Sequence, residues 1–165
     1  MMNRTKRMTT ITMLVAISIL FHMIESMIPV PVPVPGFKLG LANIVGLIAL
    51  YLFNGKVMLE INLMRVVVAS LLRGTLFATG FWLSLCGVIL SSIAMILAYR
   101  FSKMSMYGVS VAGSTFHAVG QVIAVTWIYQ QFFMQAMLPL LILLGIPTGL
   151  MMAYIGRAVE KRIHV

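Results

Sequence analysis

Ten side chains in this sequence could recognise charge or move a proton from within apolar surroundings. They are His22, Glu25, Glu60, Arg65 and His117, with Lys38 and Arg73 at the edges of apolar runs, and the amides Asn43, Asn62 and Gln121. An ionisable group held in hydrocarbon costs a few kcal/mol, so each is a functional candidate by default. The chemistry they suit is binding. Lys38, Arg65 and Arg73 outnumber Glu25, so a pocket made from them is net positive and favours an anionic or zwitterionic ligand. The alternative is that Glu25 pairs with Arg65 or Arg73 and the set only ties helices together. His117 and Gln121 stand four residues apart and so share one helix face.

Catalytic arrangements are not visible. The three acidic residues are all Glu, so no aspartate-rich Mg²⁺ site exists for activating a diphosphate. Neither a Walker A lysine loop nor a Gly-x-Gly-x-x-Gly turn occurs. Cys86 is the single cysteine and allows no intrachain disulfide and no Cys/His metal cluster. No Ser/His/acid spacing suggests a triad. The reading is a binding protein with no catalytic residue, no metal and no cofactor.

The elements that must position these groups follow from composition. Of 165 residues 61% are hydrophobic and 9% charged, and the mean hydropathy is +1.06. Soluble domains are about 45–50% apolar and about 25% charged. A globule of this size keeps too much surface in water to hide the excess. A soluble domain, a disordered chain and a disulfide scaffold are excluded, and an all-α integral membrane protein remains. A spanning helix needs about 20 mostly apolar residues. Six segments are expected, at about 8–28, 39–53, 57–72, 76–99, 106–130 and 137–156, forming one transmembrane domain and a compact six-helix bundle. The second and third are short. They either span with help from flanking residues or form a hairpin that does not span; the turn signal Asn54-Gly55-Lys56 favours two helices.

Net charge is +9. In a soluble protein this would suggest nucleic acid, but here the basic residues lie between apolar segments and no nucleic-acid partner is expected. Arg4, Lys6, Arg7, Lys56, Arg100, Lys103, Arg157, Lys161 and Arg162 fall on one side of the alternating topology, and Lys38 and Arg73 on the other. The positive-inside rule then makes both termini cytoplasmic. The basic start is read as part of a retained first helix and not a signal peptide, because no small-x-small cleavage site follows. On the outer side, four prolines alternate in Pro29-Val30-Pro31-Val32-Pro33-Val34-Pro35-Gly36 and fix an extended segment. It is either a rigid connector or a lid formed by Pro31, Pro33, Pro35 and Gly36. Small residues at four-residue spacing, such as Gly120/Ala124 and Gly145/Gly149/Ala153, let helix backbones approach closely, and Pro147 is expected to kink the sixth helix. At about 1.5 Å per residue, Glu25, Lys38, Asn43, Arg65, Arg73, His117 and Gln121 converge on one outward-opening cavity, with His22 a turn deeper than Glu25. Glu60 lies near the inner end, in a different cluster.

The stretch Glu25-Ser26-Met27-Ile28-Pro29, then Pro35-Gly36-Phe37-Lys38-Leu39-Gly40-Leu41-Ala42-Asn43-Ile44, resembles the Gx transporter family, also called heptaprenyl diphosphate synthase component I. So do Arg65 with Arg73-Gly74-Thr75, and His117-x-x-Gly120-Gln121. The family is similar to the substrate-binding S subunits of energy-coupling-factor uptake transporters. That resemblance implies a multi-pass protein of the bacterial cytoplasmic membrane. It also implies a small-molecule ligand taken from the outer side, and a partner membrane coupling subunit with two ATPases. It further implies docking of that partner on small residues of helix one, here Ala16 and Ser18, with Leu20 standing where the patch has a second alanine. The other roles it implies are a non-catalytic accessory subunit of prenyl diphosphate or quinone synthesis, or of quinone-linked, flavin-based extracellular electron transfer.

Overall fold

A computed structural model describes residues 3–27, 40–102, 104–130 and 132–163. Lys38, Lys103, Gln131 and the whole proline-alternating stretch, including Pro31, Pro33, Pro35 and Gly36, lie outside the described residues. The described chain is helical and carries no strand. Its elements are α1 (Arg4–Met27), α2 (Leu41–Leu52), α3 (Gly55–Leu72), α4 (Thr79–Phe101), α5 (Met106–Tyr129), a 3-10 turn (Phe132–Met137) and α6 (Leu138–Ile163).

Apolar stretches place the helices, but hydropathy does not set their ends. α6 continues past Gly156 to Ile163 because Arg157, Ala158, Glu160, Lys161 and Arg162 favour helix in water as well as at an interface. α1 begins at Arg4, where the Thr9 and Thr10 hydroxyls donate to the carbonyls of Thr5 and Lys6 on its exposed first turns. α6 also runs unbroken through Pro147. Beside it, the Thr148 hydroxyl donates to the Leu144 and Gly145 carbonyls at 3.1 and 3.0 Å.

Four helical stretches are long and apolar enough to cross a membrane: Arg4–Met27, Thr79–Phe101, Met106–Tyr129 and Gln135–Arg162. α2 is apolar but has 12 residues, about 18 Å of helix. α3 carries Lys56, Glu60 and Arg65 along its 18 residues.

The packing of α1 is inverted relative to a soluble protein. Its buried residues are Ser18, His22 and Glu25, all polar and on one stripe, while Met13, Ile17, Leu20, Ile24 and Met27 are exposed. A helix that turns its polar stripe inward and its apolar side outward is built for a lipid surround. α1 lies against α2 and α3, α4 packs most extensively on α5, and α5 on α6. At the α4–α5 contact a Cβ on Gly120 would sit 2.7 Å from the Cys86 carbonyl oxygen, so only glycine permits that approach. Between α5 and α6 the Ser110 and Ser114 hydroxyls donate to the Gly149 and Gly145 carbonyls, each at 2.7 Å.

One end of the bundle gathers basic residues. Tyr51 at the end of α2 meets Tyr99 at the end of α4 edge-on, with ring centroids 4.9 Å apart. Ile11, Leu14 and Phe53 pack on the same cluster, and Arg157 of α6 lies over the Tyr107 ring. Arg4, Arg7, Lys56, Arg100, Lys161 and Arg162 belong to this end. At the opposite end Phe77, Phe81 and Trp82 form an aromatic group.

Candidate functional site

Two helix registers and one hydrogen bond bring polar groups to one height. Gly40 precedes Tyr51 by eleven residues and Arg65 follows Gly55 by ten, so both lie about 15–17 Å above the ends of α2 and α3 at the basic side, at about 1.5 Å per residue. Glu25 of α1 meets them there through its bond to the Gly40 N–H. There α2 begins, while α3, α4 and α5 continue past it. The space above the first turn of α2 becomes a cavity of about 250 Å³ including its mouth. His22, Glu25, Gly40, Ala42, Asn43, Arg65, Ser84, Val88 and His117 line it, contributed by α1 to α5. The free space at its centre holds about one water molecule, so a larger ligand enters only as the walls move apart.

The start of α2 is unusual. Gly40 takes the left-handed conformation, with φ of 83°, and offers no side chain to cap the helix. The cap comes from another helix: the Gly40 N–H donates to Oε1 of Glu25. The Asn43 N–H donates to the Gly40 carbonyl at 2.8 Å, and Asn43 Oδ1 accepts from Nη2 of Arg65 at 3.3 Å. Arg65 is 2% exposed, the largest of the fully buried side chains. Its Nε and Nη1 have no hydrogen-bond partner among the described residues. Glu25 and Arg65 line the same cavity. A turn further down α3, Asn62 Nδ2 donates to the Ser92 hydroxyl at 3.0 Å.

The arrangement can recognise negative charge. Helix N-termini carry a partial positive charge and free N–H groups, and a guanidinium presents a planar fork of donors matched to two oxygens. Among the described residues, no three His, Cys, Asp or Glu side chains converge as metal ligands.

Of the residues singled out in the sequence, the structure brings Glu25, Asn43, Arg65 and His117 to the cavity wall, with His22 beside them. Gln121 is buried one turn from His117, and both pack on Gly87 of α4, as their spacing requires. Arg73 is the exposed C-cap of α3 and does not line the cavity. Ala16 is exposed, whereas Ser18 is fully buried and faces the bundle. Glu60 is exposed, away from the cavity. Ser84 had no signal in the sequence, since a serine in an apolar helix is common; Gly40 stood in the family-like stretch before Asn43 but was not singled out for the site, and the place of both emerges only from packing.

A second cavity of about 260 Å³ shares Gly40 and Asn43 and is otherwise lined by Met95, Ser110, Gly113, Ser114, Thr148, Gly149 and Met152. The first turn of α2 is thus a wall between two spaces, one charged and one lined by hydroxyls and methionines.

The family model described as heptaprenyl diphosphate synthase component I matches residues 14–159. No curated protein and no solved structure matches the chain.

Proposed function

We propose, from the premise that the chain belongs to the heptaprenyl diphosphate synthase component I family, that it is a non-enzymatic, substrate-binding membrane subunit. In this reading it resembles the S subunits of energy-coupling-factor uptake transporters. Six helices cross the cytoplasmic membrane of a bacterium. The basic end, with both termini, faces the cytoplasm by the positive-inside rule, and the cavity takes a small anionic or amphipathic ligand from the outer side. A partner coupling subunit with ATPases supplies the energy.

The observation that carries this reading is the buried Arg65 on the cavity wall, with two guanidinium nitrogens unpartnered among the described residues. Each unpaired buried donor costs free energy that a bound acceptor returns. The pocket is tested by measuring ligand binding to the purified protein by mass spectrometry and calorimetry, with Asn43→Ala and Arg65→Ala alongside; both variants should bind more weakly. The transport role is tested separately. Co-expression with a coupling subunit and its ATPases should yield a stable complex, and failure to associate removes the transport role while leaving the pocket.

The family description and the Arg65 fork at a helix N-terminus also support a second reading, a non-catalytic accessory subunit of prenyl diphosphate or quinone synthesis, or of quinone-linked extracellular electron transfer. A clean deletion should then shrink or shorten the cellular prenyl-quinone pool. An unchanged quinone profile eliminates the synthesis role.

A further inference from the structure

We propose that the Glu25 carboxylate is a built-in stand-in for the ligand, holding the place of an oxyanion that binds between the first turn of α2 and the Arg65 guanidinium. The inference rests on the cavity being a ligand site and adds which chemical group goes where: the ligand carries a carboxylate or phosphate, and its binding displaces Glu25.

The donors are the first argument. The Gly40 N–H at the positive end of α2 is taken by a carboxylate from α1, fifteen residues away in sequence. Arg65, from a third helix, reaches the same height and is 2% exposed. Its one hydrogen bond among the described residues goes to a neutral amide oxygen, Asn43 Oδ1, and Nε and Nη1 have no acceptor there. Carboxylates and phosphates satisfy such a fork with two oxygens at once.

Space is the second argument. With free room for about one water molecule, an oxyanion cannot simply be added. Glu25 is the only acid among the residues lining the cavity, and two anions within a few ångströms repel strongly where the dielectric is low. The exchange of one carboxylate for another singly charged oxyanion keeps the charge of the site constant, and a phosphate makes it more negative. Glu25 stands in the last turn of α1, two residues from the end of the helix.

The test titrates the purified full-length protein in detergent with inorganic phosphate, inorganic diphosphate and hexanoate by calorimetry. Glu25→Gln keeps an amide oxygen to accept the Gly40 N–H but removes the competing charge. If Glu25 occupies the site, as a latch, about nine-tenths of the time, this variant binds the preferred anion about tenfold more tightly. Glu25→Asp keeps the charge but shortens the arm by one methylene. It should show a smaller gain and guards against a folding defect in the first variant. Arg65→Met should bind none of the three. Equal or weaker binding by both Glu25 variants, with Arg65→Met still inactive, overturns the latch and leaves the anion pocket standing. No binding of any anion by any of the proteins overturns both.

Discussion

Arg65 is the residue on which the site turns. A guanidinium at the centre of a helical bundle is costly unless its donors are met, and the protein meets one of them with Asn43. Lysine would carry the same charge without the fork. Arg65→Lys is therefore expected to weaken anion binding about tenfold and Arg65→Ala about a hundredfold, the loss of one or two charge-assisted hydrogen bonds; isothermal titration reads both. If Arg65→Lys binds as the wild type does, a point charge suffices and the fork plays no part. The types of Glu25, Asn43, Arg65 and His117 marked them out in the sequence, since charge and amides are rare in an apolar chain. The placement of Arg73 was not legible in the same way, because its type suits the site but its position at the C-cap of α3 turns it outward.

At the scale of elements, two arrangements lead to measurable expectations. α1 shows its polar stripe to the bundle and Ile17 to the surround. An arginine on that outer side should cost about 2.5–3.5 kcal/mol of membrane insertion. Ile17→Arg is thus expected to lower the inserted fraction in a glycosylation-mapping assay, whereas full insertion would mean that this side of α1 is not in contact with lipid. The α4–α5 contact gives a second expectation. Gly120→Ala sets a methyl 2.7 Å from the Cys86 carbonyl and pushes two backbones apart, at a cost of about 1–3 kcal/mol. Gly80→Ala, with nothing within 4 Å of the new methyl, should leave stability unchanged or slightly raised. Thermal unfolding in detergent compares the two variants. Equal melting temperatures would show that the helices do not approach as closely as Gly120 implies. The existence of these helices was readable from apolar runs, but their ends were not. Hydropathy reports the apolar slab, whereas Arg157 to Ile163 extend α6 by helix propensity beyond it.

For the whole molecule, the distribution of charge leads to an orientation. The exposed Ser102 lies at the basic end and the exposed Ala78 at the other. Single cysteines at these positions in a Cys86→Ser background can be challenged with an impermeant maleimide on intact cells. Ala78→Cys should label and Ser102→Cys should not. The reverse would open the cavity toward the cytoplasm and remove the uptake reading.

Composition alone determined that this chain is helical and suited to lipid, because no soluble globule of 165 residues can hide an apolar content of 61%. The family motifs and the scarcity of charge picked out most of the groups around the cavity. Only the tertiary structure decided that α2 starts at the height of Arg65, that Glu25 of a different helix caps it, and that Ser84 completes the wall. The reason is physical. Helical periodicity encodes which face a residue occupies, but the relative height of two helices is set by side-chain packing between them, and no local pattern carries that distance.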